Sequence, residues 1–159
     1  MSFQNRQGKT GDQIATELTP AGTITLIITG TTPEAIEKLT TIAEAIGKRL
    51  ARDVTASQIR NIFGTVRTIE QDVKSLADDE PLPTSVQRSL LMLRPKLAYQ
   101  YGRIQGRDDD NRKAAMGALV AILSDAIGMV GTSVVHFRNF IDFFEAILAY
   151  HRRHGGSNS

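Results

Sequence analysis

The stretch Thr55–Leu76, TASQIRNIFGTVRTIEQDVKSL, decides the fold. Thr55 and Gln58 stand at capping-box spacing, so each side chain can satisfy an orphan amide at a helix start. Ile59, Ile62, Val66, Ile69, Val73 and Leu76 then advance by alternating threes and fours, which draws one apolar stripe along an α-helix. At about 100° per residue, Arg60, Arg67 and Lys74 fall close together on another side. The segment therefore reads as a helix with one face for a core and a cationic rail outside.

The same rhythm extends in both directions. Upstream, Thr32-Pro33 forms a cap and first turn, and Ile36, Leu39, Ala43, Ile46 and Leu50 mark a helix ending in Lys48, Arg49 and Arg52. Downstream, Asp78-Asp79-Glu80-Pro81 and Pro83 break the chain. A third helix follows on Val86, Leu90, Leu93, Leu97, Tyr101 and Ile104, with a kink or brief break expected at Pro95. Asp108–Asn111 caps an Ala-rich helix that is apolar almost all round (Met116, Leu119, Ile122, Leu123, Ile127, Val130), as a central helix would be. After Gly131-Thr132-Ser133, Phe137, Phe140, Ile141, Phe144 and Ile147 define the last helix, which ends at Arg152-Arg153-His154.

The expectation is an all-α, single-domain antiparallel bundle of about five helices over residues 32–154. Residues 1–31 read as a polar, partly mobile N-terminal arm. Its Thr23–Thr29 segment, TITLIIT, reads as a short strand or extended arm from its β-branched composition between two glycines. Residues 155–159 read as a flexible tail.

With 159 residues and 41% apolar composition, the chain can bury a real core. It has no cysteine, which excludes disulfides, a thiol nucleophile and cysteine-ligated metal sites. The uninterrupted apolar runs are only a few residues long, so no membrane span is expected. The start, MSFQNRQGKTGDQ, lacks the apolar centre of a signal peptide, and a cytoplasmic location follows as an expectation.

Catalytic sets are missing. Asp142 and Glu145 are three apart, as are His151 and His154, but no Glu is followed three residues later by His, as a bundle metal site would need. Neither a serine nor a cysteine with an orienting carboxylate is placed to make His136 a base, and Gly128 and Gly131 follow a helix instead of opening one. Neither an enzyme, a cofactor nor a small-molecule substrate is expected. The phenylalanines of the last helix suit core packing or a dimer interface better than base stacking.

Charge carries the functional signal. Pro83–Arg107 holds five cations (Arg88, Arg94, Lys96, Arg103, Arg107) and no Asp or Glu, although the whole chain has a net charge of only +2. Lys96, Arg103 and Arg107 share a stripe, and antiparallel packing could bring it onto one surface with the Arg60 rail. A cationic face without interspersed acids suits a phosphate backbone. Tyr99 lies off the apolar stripe near these cations, where it either stacks on a base or covers the kink.

Three segments carry a family resemblance: Ser57-Gln58-Ile59-Arg60 opening a helix, RPKLAYQYGR (Arg94–Arg103), and FFEAILAYHR (Phe143–Arg152). Together, over Val54 to Arg153, they resemble the small subunit of type III-A CRISPR–Cas effector complexes, the Csm complex. The resemblance implies a non-catalytic, all-helical antiviral subunit. It would be present in several copies, associated with itself, the large subunit and the backbone subunits. It would touch the backbone of target RNA or the guide RNA–target duplex without reading sequence. Arg60, Lys96 and Arg103 lie inside or against the matching motifs as RNA-contact candidates; Arg67, Lys74 and Arg107 extend the rails by geometry, and Arg138 precedes the last motif. The rival readings are a helical dimerisation scaffold that binds only protein, and a bundle metalloenzyme.

Overall fold

The computed structural model describes residues 8–156. They form eight helical segments: α1 (Gly11–Leu18), α2 (Thr23–Thr29), α3 (Pro33–Leu50), α4 (Ala56–Gln71), α5 (Thr84–Leu91), α6 (Leu93–Gly102), α7 (Asn111–Val130) and α8 (Val134–Arg153). The five expected helices correspond to α3, α4, the pair α5–α6, α7 and α8. The polar start over residues 1–7 and the tail over 157–159 lie outside the described residues.

The expected strand is a helix. Thr23–Thr29 forms α2, entered through Gly22 at φ 86°, with Ile24, Ile27 and Ile28 buried. Those three isoleucines sit at helical spacing, and α2 lies against both α7 and α8. Burial on one face outweighs the weak helix propensity of β-branched residues. The end of α2 is also satisfied from outside: the Asn139 amide of α8 donates to the carbonyls of Ile28 (2.9 Å) and Gly30 (3.1 Å). The expected arm holds a second helix, α1, started by a capping box between Thr10 and Gln13. It docks on α7 where Gly11 meets Gly117; a Cβ on Gly11 would stand 2.6 Å from the Gly117 carbonyl carbon. Both N-terminal helices share the core with the rest of the chain.

The third expected helix breaks at Met92, three residues before Pro95. Proline has no N–H to give to the Leu91 carbonyl, so the chain restarts at Leu93 and Pro95 falls in the first turn of α6, where that loss is tolerated. Val86, Leu90, Leu93 and Leu97 are buried across the break, so both pieces face one core.

Two of the helix pairs run in opposite senses. α4 begins beside the end of α8, since His151 bonds the Val54 carbonyl, and its last turns approach the start of α8 through Arg138. Arg94 of α6 bonds the carbonyl of Ser124, whereas Tyr101 reaches Gly117, so α6 and α7 also run in opposite senses. α3 and α8 instead run the same way. Asn139, early in α8, touches the chain just before α3, and Gly47, late in α3, abuts Tyr150 and His151.

α7 is the central helix, with Ala115, Met116, Leu119, Ile122 and Val130 at full burial. By length and composition it could cross a bilayer, contrary to the expectation from run lengths; here its apolar surface is covered by α1, α2, α6 and α8. Phe137, Phe140, Phe143 and Phe144 of α8 are wholly buried, and Phe144 meets Phe63 of α4 at 5.0 Å between ring centroids. The phenylalanines pack inside this one chain, which removes the dimer-interface alternative for them. Ile36 departs from its expected stripe: it is 61% exposed, and Ala35 takes the inward position.

The C-terminal segment folds back. Gly156 donates its N–H to the His151 carbonyl (2.8 Å) and is buried over the imidazole, so this part of the expected tail is packed. A carbonyl only accepts, so His151 Nε2 carries the proton it gives to the Val54 oxygen at 2.6 Å.

Candidate nucleic-acid interface

α4 organises the exposed cationic surface. Its capping box forms as the sequence implies: Gln58 N–H donates to Thr55 Oγ1 (3.1 Å) and Thr55 N–H to Gln58 Oε1 (2.8 Å). Ile59, Ile62, Val66 and Ile69 face the core. The opposite ridge presents Arg60, Asn61, Gly64 and Arg67 to solvent, with a depression on either side.

On the α8 side, Arg60, Arg67 and Arg152 gather around Phe63, Leu148 and Ala149. Arg67 is heavily engaged. Its guanidinium donates to Glu70 (2.9 Å), reaches Glu145 of α8 (3.4 Å) and lies 4.8 Å from the Phe63 ring centroid. The Glu70 hydrogen bond above all, with the charges of Glu70 and Glu145, holds its proton more firmly than usual. The same carboxylates act on Asp142, whose pKa is raised first by burial and then by Glu145 and Glu70. Acid and base are thus interleaved on this side.

The α5–α6 side differs. Two adjoining depressions run between α4 and the broken helix. One, of about 600 Å³, has Gly64, Thr65 and Thr68 on one wall and Arg88, Ser89 and Lys96 on the other. The next, of about 290 Å³, is bordered by Asn61, Lys96, Tyr99 and Gln100 over a floor of Ile62 and Leu93. Neither is lined by a carboxylate. Lys96 belongs to both, and among the described residues neither it nor Arg88 makes an ion pair. At low dielectric along a groove wall, such cations attract an anion more strongly than the same charges on a convex surface would.

The sequence-nominated residues therefore separate. Lys96 sits in the groove, and Arg103, at the end of α6, lies 5.8 Å from the Tyr99 ring centroid. Arg60 borders the opposite depression, on the same ridge. Lys74, exposed beyond α4, makes no ion pair among the described residues. Arg107 departs from the Lys96 stripe because the chain leaves helix after Gly102; it pairs with Asp109 at 3.6 Å near Gly8 and Thr10. Arg138 is a clasp: it bonds the Leu76 carbonyl (2.7 Å) and the Asp78 carboxylate, holding the loop after α4. Arg94 likewise turns inward to the Ser124 carbonyl at 2.9 Å. Sequence reasoning did not nominate Arg88, Asn61, Thr65 or Arg152. Arg88 appeared in the charge count, but its face depends on the helix restarting at Leu93.

Of the histidines, His151 is wholly buried and bonds the Val54 carbonyl, and His136 follows the Ser133 cap, whose hydroxyl accepts its backbone N–H. Among the described residues no three His, Asp or Glu side chains converge in a way that could hold a metal ion.

The family model described as Csm2 Type III-A matches residues 33–157. The chain belongs to that family. It is a small subunit of type III-A CRISPR–Cas Csm complexes, associated with the other Csm subunits. The Csm2 match runs from α3 through α8, so the groove and the Arg60 ridge lie within it and α1 and α2 precede it. Neither the curated proteins nor the solved structures gave a match to this Csm2 chain.

Proposed function

We propose that this Csm2-family subunit is a non-catalytic RNA-binding component of the antiviral effector, acting in the cytoplasm. It contacts the backbone of target RNA, or of the guide–target duplex, without reading sequence. The observation that carries this reading is the acid-free groove between α4 and α5–α6, with Arg88 and Lys96 on its wall. Paired cations beside neutral Thr and Ser hydroxyls suit phosphate oxygens and offer no set of groups aimed at base identity. Specificity would rest on guide–target base pairing, as in other RNA-guided effectors. Several copies along one strand would add their weak contacts into strong overall binding.

The test is a salt series of fluorescence anisotropy with unrelated single-stranded RNAs, comparing the wild type with Lys96→Glu and Arg88→Glu. Each phosphate contact on a single strand contributes about −0.7 to the slope of log K against log salt. Each reversal should weaken binding to all sequences alike and flatten the slope by roughly that amount. Affinity unchanged by both reversals would remove the groove from the RNA contact and leave protein binding as the role of this face.

A further inference from the structure

Tyr99 is 65% exposed, although it lies between Leu97, which is buried, and Tyr101, which is packed against the core. A tyrosine that covered the helix break would be buried against it. The break is instead sealed by Leu90, Leu93 and Leu97, each at most 2% exposed. Tyr99 borders the 290 Å³ depression, whose floor is apolar and whose rim carries the Asn61 and Gln100 amides and the Lys96 ammonium. The Arg103 guanidinium lies over one face of its ring, 5.8 Å from the centroid, so a base would take the other face.

We propose that Tyr99 is a stacking platform for one unpaired RNA base, held at the α6 end of the groove while Lys96 and Arg103 bind the flanking phosphates. Each neighbouring group fits one part of a nucleotide. A flat aromatic face accepts any base, an apolar floor takes its buried edge, and the two amides offer both donors and acceptors to whichever polar edge remains. The depression is at the lower limit of small-molecule sites, roughly 300–1,000 Å³, which suits a single base and not an entire cofactor. Charge excludes an acid-lined partner site and favours an anionic chain over a neutral peptide. Stacking needs a base free of its helix, so this subunit prefers single-stranded over duplex RNA. This inference rests on the RNA reading of the groove and adds a ligand state to it.

The test measures binding of the full chain at low salt to three probes of equal length: a single-stranded RNA, its blunt duplex, and an abasic ribose-phosphate chain. The wild type should bind the base-bearing single strand roughly five- to a hundred-fold more tightly than the abasic chain, the range of one stacked base. Tyr99→Leu should abolish that difference while leaving abasic binding unchanged, and Tyr99→Phe should retain it. Lys96→Glu should weaken all three probes. Equal binding of abasic and base-bearing strands, insensitive to Tyr99→Leu, overturns the stacking platform and leaves backbone contact standing. Failure of the wild type to bind any probe overturns both.

Discussion

Gly47 offers a test in which two effects predict opposite signs. It lies near the end of α3, inside a helix, where alanine is favoured over glycine by about 0.8–1.0 kcal/mol. Propensity alone therefore makes Gly47→Ala stabilising. The packing says otherwise: a Cβ there would stand 2.5 Å from the His151 nitrogen and 2.8 Å from the Tyr150 carbonyl carbon, both backbone atoms of α8. Backbone cannot rotate away, so α3 must retreat from α8 along a seam that includes Ala43, Ile46 and Leu50, all at full burial. Overpacking of this kind costs about 1–3 kcal/mol or more. A 2.5 Å approach to unyielding backbone puts the cost at the upper end, about 2–3 kcal/mol, so after the propensity gain a net loss of about 1–2 kcal/mol remains, a fall in Tm of roughly 2–8 °C for a chain of this size. Gly64 is the control. It sits in α4 with no atom within 4 Å of a built Cβ, so Gly64→Ala should raise Tm by a few degrees, about 0.5–1 kcal/mol. Urea and thermal melts followed by circular dichroism read both variants. A Gly47→Ala protein as stable as the wild type would refute the close parallel seating of α3 on α8.

Three further outcomes are expected. Tyr101 donates its hydroxyl hydrogen to Asp108, and that bond, with burial and the Asp108 and Asp12 charges, pushes its pKa up to about 12. The folded state holds this proton more tightly than the unfolded one, whose phenol titrates near 10, so the associated stability is complete below about pH 10 and is lost as pH rises towards 12. Near-ultraviolet phenolate titration should show one of the three tyrosines ionising late and Tyr101→Phe lacking it; all three ionising together would contradict the Asp108 bond. His151→Leu strands the Val54 carbonyl in the core and should cost about 1–3 kcal/mol in urea melts, with an unchanged midpoint arguing against that bond. Arg138→Ala should speed hydrogen exchange around Leu76–Leu82 and cost about 0.5–1.5 kcal/mol, with RNA affinity untouched. A loss of affinity without faster exchange would return Arg138 to the RNA surface.

How far the sequence could be read depended on whether each signal was local. α4 was legible in full because its cap, stripe and rail all lie within one segment. α1 carried the same capping-box signature at Thr10 and Gln13, but only Ile14, Ala15 and Leu18 follow it, too short a pattern to register as a helix. α2 shows three isoleucines at helical spacing, masked by residue types that favour strands; the surfaces of α7 and α8 that settle it come from more than eighty residues away. The site divides along the same line. Lys96 could be placed because its motif and face are local. The engagement of Arg67 by Glu145 and of Arg138 by Asp78 joins distant segments, and no helical wheel displays such partners. Arg107 and Arg88 were misplaced or overlooked because one helix ended at Gly102 and another restarted at Leu93.

The parallel course of α3 and α8 has an electrostatic consequence. Two helix C-termini lie side by side, each equivalent to roughly half a negative charge, and the N-terminus of α4 meets them with the opposite sign. At this three-helix junction the backbone thus leaves a negative pole of about half a charge. Lys48 and Arg49 close α3, and Arg152 and Arg153 close α8, all in the last turns. Placed in the last turns, these side chains offset the peptide dipoles. Side-chain counting gives +2, yet part of the positive charge is already committed to the fold. Reversing Arg49 or Arg153 would accordingly appear in a melting curve, whereas reversing Lys96 would appear in a binding isotherm.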